Sequence, residues 1–228
     1  MFYPYYFDDT YFLVLAAAIF SMWASARVQS TYNKYYKVRS RRGITAADAA
    51  LRILNGNGIY DVQIKRTQGK LTDRYVPSER AIYLSDYDST SIASIGVAAH
   101  ECGHAIQHHF GYVPLRISQA ISPLCAVGSN LGIPILFIGI IFSLTGLINL
   151  GILLFGLGFV ISLITLPVEY NASNRALSIL ESFGLLDDEE LSGTKKVLRA
   201  AGLTYVAAAA ASLASLLRLL ILTRRNDD

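Results

Sequence analysis

The run His100-Glu101-Cys102-Gly103-His104 carries the clearest chemical content in the chain. On an α-helix successive residues turn by about 100° and rise about 1.5 Å, so two histidines four positions apart lie roughly 40° apart and about 6 Å along the axis. Their imidazoles can converge on one metal ion, for which zinc is the usual choice. Glu101 then projects beside the metal, where a carboxylate can take a proton from water and later hand it to a leaving amine. The chemistry so served is hydrolysis of a peptide bond, with Glu101 as general base. Cys102 turns to the far face of the helix, and Gly103 removes bulk where another element can pack.

Catalytic zinc usually has three protein ligands and one open position. On a continuing helix His108 stands about 12 Å beyond His100 along the axis and is turned about 80° away, out of reach of the same ion. The longer signature, with glycine at its eighth position and histidine at its eleventh, fails because Gln107 and Phe110 stand there. His108 and His109 read as polar residues at a helix end. A downstream carboxylate must complete the set. Glu169, in the segment PVEYNASNRAL, is favoured because Ala172 and Ser173 permit close approach. Glu181 is the reserve, and Asp187, Asp188, Glu189 and Glu190 read as a solvated acidic run. Asn171, Ser173 and Arg175 share the helix of Glu169 and could orient a ligand or stabilise an oxyanion.

The elements that position these residues are set by a bilayer. More than half of the 228 residues are hydrophobic (53%) and 16% are charged, against about a quarter charged in ordinary soluble domains. No charged residue occurs from Ile117 to Val168, a run far longer than the roughly 20 residues one span needs. The expected fold is a mainly α membrane protein with about four transmembrane helices and a small zincin-like α/β catalytic region, all one domain over 1–228. The spans are expected at about 11–26, 124–144, 151–166 and 201–221, with a turn near Asn149 and Gly151. The catalytic region occupies 43–110 and the Glu169 segment 169–199.

Within 43–110, Thr45 and Asp48 suggest a capping box, Ile59–Lys65 and Arg80–Ser85 are strand candidates, and Ser89 is a candidate cap for a helix from Thr90 through His108. Ala81, Ile82, Tyr83 and Leu84, within the second strand candidate, precede the active-site helix. The first apolar stretch reads as an anchor and not a signal peptide, because Asp8 and Asp9 precede it and Arg27 follows it. Arg27, Lys34, Lys37, Arg39, Arg41 and Arg42 follow with no acid among them, which puts this flank, and the active site, at the cytoplasmic face of the cell membrane. The aromatic cluster Phe2, Tyr3, Tyr5, Tyr6 and Phe7 fits an interfacial belt, and Arg218 can snorkel from the last span. A net charge of +3 is too small to argue for nucleic acid. Two cysteines without framework spacing read as free thiols.

The stretches LTDRYVPSERAIYLS at 71–85, GVAAHECGHAIQH at 96–108, PVEYNASNRAL at 167–177 and LTYVAAA at 203–209 resemble, in collinear order, the YugP family of bacterial membrane zinc metallopeptidases. More distantly the arrangement is similar to the HtpX group of membrane proteases. The resemblance implies one Zn2+ per chain held by His100, His104 and Glu169, Glu101 as catalytic base, and a peptide or membrane-protein substrate met among membrane lipids. It also implies that Ala81, Ile82, Tyr83 and Leu84 form an exposed strand edge to which an extended peptide can add, the alternative being a strand interior to a small sheet. It departs from the family pattern at Asn171 and Asn174, where aspartate and arginine are usual. An oligomeric state or a regulatory membrane partner is compatible with the sequence but is not derivable from it. A transporter is disfavoured because the central hairpin has no ionisable residue. A zinc-binding membrane scaffold or chaperone-like adaptor with little peptidase activity is the alternative.

Overall fold

The computed structural model describes residues 9–224; the aromatic cluster Phe2 to Phe7 and Arg225 lie outside the described residues. Nine principal elements follow in order: α1 (Tyr11–Tyr36), α2 (Ala46–Gly56), β1 (Gln63–Arg66), β2 (Arg74–Val76), β3 (Ala81–Leu84), α3 (Ile92–His109), α4 (Val113–Ile141), α5 (Thr145–Ser182) and α6 (Asp188–Arg224). Among the described residues four helices, α1, α4, α5 and α6, are long and apolar enough to cross a membrane. Each runs well past the apolar core that marks it in the sequence, because polar residues extend a helix freely once it leaves hydrocarbon. The chain divides into two compact units, Met1–Ser25 with Ile117–Leu166 and Thr204–Asp228, and Ala26–Arg116 with Pro167–Leu203.

In the first unit the α4–α5 pair is packed through glycine. A Cβ on Gly132 would lie 2.6 Å from the Phe155 nitrogen, and one on Gly151 would lie 2.6 Å from the Leu136 nitrogen. Lipid offers no hydrophobic drive between helices, so close backbone approach at small residues is what holds such a pair. The turn expected at Asn149 and Gly151 falls instead at Phe142–Leu144, where Ser143 takes a positive φ of 53°. Gly151 serves packing inside α5 and not the turn. Arg218 places its guanidinium over the Tyr11 ring, 5.2 Å from the centroid.

In the second unit Thr45 caps α2 with the reciprocal Asp48 box, while α3 is capped by Ser91, which accepts from the Ala93 and Ser94 amides, in place of Ser89. Ser89 instead accepts from the Ser91 amide. The acidic run is not wholly solvated: Glu190 is buried. It accepts from the Arg41 amide at 2.7 Å and exchanges hydrogen bonds with Asp187 across the first turn of α6, so it anchors a helix start.

The sheet has the order β1-β3-β2, with β3 parallel to β1 and antiparallel to β2. The expectation that Ala81, Ile82, Tyr83 and Leu84 form an exposed edge is therefore corrected. That strand is central, hydrogen-bonded on both sides, with Ala81, Ile82 and Leu84 buried. The strand that displaces it is β2, three residues in what reads from sequence as a loop. Under the sheet lies α3, whose Ile95, Ala98, Ala99, Cys102 and Ile106 share one core with Ile53 and Leu54 of α2, Ile82 and Leu84 of β3, and Ala176 and Leu180 of α5.

In this core α3 and α5 meet backbone to backbone. A Cβ on Gly103 would lie 2.6 Å from the backbone oxygen of Ala172, and a backbone atom cannot swing aside as a side chain can. Gly103→Ala should therefore push the helices apart and cost about 1–3 kcal/mol, the usual range for overpacking. Thermal unfolding in detergent reads this; an unchanged midpoint would show that the crossing opens freely.

Candidate active site

The four residues of the site come from α3 and α5. His100 and His104 lie one turn apart on α3, and their Nε2 atoms approach to 3.1 Å. Glu169 Oε2 lies 3.2 Å from Nε2 of His100 and 3.6 Å from Nε2 of His104. One ligand atom from each of His100, His104 and Glu169 falls within 4.8 Å of the others. Despite these short distances, Glu169 Oε2 is buried and no hydrogen bond of proper geometry reaches it. A carboxylate oxygen left so among two imidazole nitrogens is short of a cation, because burial without a partner costs several kcal/mol.

The donor set fits zinc. Two imidazole nitrogens and a carboxylate oxygen are a set that catalytic zinc takes, and bonds of about 2.0–2.1 Å in tetrahedral array would separate the donors by about 3.3 Å. The three observed separations, 3.1, 3.2 and 3.6 Å, bracket that value. Glu181, the reserve carboxylate, is exposed and sits twelve residues further along α5, about 18 Å of helix away.

Glu101 is 8% exposed and accepts the Tyr75 amide at Oε2, 2.8 Å away. Burial pushes its carboxyl above the ordinary range, opposed by His100, His104 and the Tyr75 amide. A buried carboxylate with raised proton affinity is a better base at neutral pH. Burial also keeps the Cys102 thiol protonated, with the Glu101 charge acting in the same direction. Cys102 is fully buried and its thiol faces the Ala50 carbonyl, so it is no nucleophile.

Around these four, the sequence-derived candidates fall as follows. Ser173 Oγ is 3.1 Å from His100 Nδ1. Arg175 Nε donates to Asn171 Oδ1 at 2.7 Å, so both are engaged with each other. His108 Nδ1 lies 3.0 Å from the Tyr75 hydroxyl. These two side chains and His109 line a cleft of about 150 Å3 whose apolar floor includes Ile59, Val62 and Ala105. Ala81, Ile82, Tyr83 and Leu84 stay in the sheet; Tyr83 turns outward, its hydroxyl donating to Glu79. Two residues of the site were not singled out from the sequence. Tyr75 sits on a strand too short to show a period. Gln107, three residues after His104, is fully buried with its amide within 3.1 Å of His104 Nδ1, and that spacing on a helix is the signal that could have found it.

A helix with this histidine pair and buried glutamate, met by a carboxylate from a second helix, defines a metallohydrolase class. The chain matches, over residues 10–224, the family described as "Putative neutral zinc metallopeptidase", and it belongs to that family. It is 45% identical over 220 residues to "Putative membrane protease YugP" of Bacillus subtilis (strain 168), a match covering 95% of this chain and 97% of that protein. No solved structure matches. The protein is thus a membrane peptidase of a zinc-dependent family, with Zn2+ as its metal.

Proposed function

We propose that the protein is a membrane-bound endopeptidase in which His100, His104 and Glu169 hold the zinc and Glu101 is the general base. The observation that carries this reading is the buried, hydrogen-bond-free Oε2 of Glu169 beside two imidazole nitrogens at 3.2 and 3.6 Å. When bound, zinc supplies Lewis acidity, which polarises a carbonyl and makes water a stronger acid. Glu101 takes the proton of the attacking water as its oxygen adds to the scissile carbonyl carbon. It returns that proton to the amide nitrogen as the C–N bond breaks, and with the second proton of the water also passing to the amine a carboxylate and an ammonium leave. The Tyr75 amide fixes the rotation of the Glu101 carboxylate for both transfers.

The main chain of β2, in place of β3, is the edge offered to a peptide. β2 pairs with β3 on one side only, and the Tyr75 amide points away from that pairing, to Glu101. In an antiparallel ladder a residue's N–H and C=O face the same side, so the Tyr75 carbonyl also faces the site. An extended substrate laid along it would run beside Glu101.

Purified protein should carry one zinc per chain. Glu101→Gln should keep the metal and lose hydrolysis, whereas Glu169→Ala should lose metal affinity and Glu181→Ala should keep it. Metal analysis and peptide turnover in detergent read both; zinc-free wild type, or equal affinity in the two α5 variants, would defeat the assignment.

A photo-crosslinking residue at Arg74 in the Glu101→Gln protein should capture peptide, while one at Lys65 on the opposite edge should not. Capture at Lys65 alone, or equally at both, would remove β2 from the proposal.

The basic flank from Arg27 to Arg42 supports a site on the cytoplasmic face, by the positive-inside rule. A cysteine introduced near Lys37 should resist impermeant labelling of intact cells and one near Tyr5 should accept it. The reverse pattern would put the site outside.

A further inference from the structure

We propose that Gln107 is a positioning residue that fixes His104 in the tautomer with a free lone pair on Nε2 and ties that imidazole to the turn of α5 carrying Glu169. The inference rests on the zinc-ligand reading above and deepens it. Its logic is the direction of four consecutive hydrogen bonds. Arg175 Nε can only donate, so the Asn171 atom it meets at 2.7 Å is the amide oxygen. That oxygen also accepts from Gln107 Nε2 at 3.0 Å, and the same nitrogen donates its second hydrogen to the Val168 carbonyl at 2.8 Å. Both partners are acceptors, so the Gln107 amide has one orientation, with Oε1 turned to His104 Nδ1 at 3.1 Å.

An amide oxygen cannot donate. The proton between the two groups therefore belongs to His104 Nδ1, and the neutral ring carries its lone pair on Nε2. That is the atom 3.6 Å from Glu169 Oε2 and 3.1 Å from His100 Nε2. The polarity of the ligand is thus set three groups away, at a guanidinium. The chain is also mechanical. Val168 and Asn171 flank Glu169 on α5, so one fully buried amide holds a ring of α3 and the backbone next to a carboxylate of α5 in fixed relation. An apolar side chain of similar size would fill the space and supply neither the acceptor nor the tie.

The test is zinc affinity, by chelator competition on the full-length protein in detergent, for wild type, Gln107→Leu and Gln107→Glu. Loss of a group that orients a histidine ligand typically costs 10–100-fold in metal affinity. Gln107→Leu should show a loss of about that size, and Gln107→Glu, which retains an acceptor for Nδ1–H but gives up the donor to Val168 and Asn171, should recover part of it. The absorption bands of the cobalt(II)-substituted protein should shift in the leucine variant and return toward wild type in the glutamate variant. Unchanged affinity in Gln107→Leu would overturn the inference while leaving the ligand assignment standing. Equal losses in both variants would show that the acceptor for Nδ1–H contributes nothing, and would overturn the inference as well. Failure of the wild type to bind zinc would instead remove the ligand assignment on which it rests.

Discussion

Everything at the site depends on how closely α3 and α5 cross. Gly103 presents no side chain to Ala172, whose backbone oxygen would stand 2.6 Å from any Cβ placed there. Helix axes normally lie about 8–10 Å apart, a distance set by the side chains between them; at this crossing one of those side chains is missing and the other is a methyl group. On one helix His104 follows Gly103, and on the other Glu169 and Ser173 stand on either side of Ala172. The crossing therefore carries the carboxylate to within 3.6 Å of both imidazoles and the hydroxyl to 3.1 Å from His100 Nδ1. A bulkier residue at 103 would disturb all three contacts together.

The crossing also explains the polar pattern of the interface. Gln107, Val168, Asn171 and Arg175 satisfy one another by hydrogen bonds, as buried polar groups must. Glu101 is satisfied by a strand amide from the sheet on the other side of α3. Among the buried side-chain polar atoms of this cluster, only the Glu169 oxygen facing the two Nε2 atoms is left without a hydrogen bond. Such an interface would be destabilising as a mere packing contact between neutral imidazoles and a carboxylate, since a buried charge that no cation balances costs more than a hydrophobic replacement. A divalent cation removes that cost, and the family to which the chain belongs supplies its identity as zinc.

How far the sequence could be read follows from the range of each signal. The histidine pair was legible because both residues sit within one turn of one helix, where spacing alone fixes geometry. The four apolar helices were legible because composition over about 20 residues is enough. Gly151 was misassigned to a turn because glycine serves both turns and close helix packing, and only the partner at Leu136 separates the two uses. β2 escaped because three residues cannot display an alternation, and with β2 unseen β3 looked like an edge. Glu190 looked solvated because its partner, the Arg41 amide, lies 149 positions away in the chain. Gln107 was passed over as a failed position of a longer zinc signature, although its own helix placed it beside His104.

The order of the ligands along the chain has a further consequence, for timing. Sixty-five positions separate His104 from Glu169, and between them lies the whole uncharged run from Ile117 to Val168. At roughly 5–20 residues per second of synthesis, the histidine pair leaves the ribosome about 3–13 s before the carboxylate that completes the proposed metal site. The nascent chain therefore has an incomplete donor set throughout synthesis of its most hydrophobic segment. A protease built this way has no assembled centre until its central hairpin has been made, a latency inherent in the order of translation.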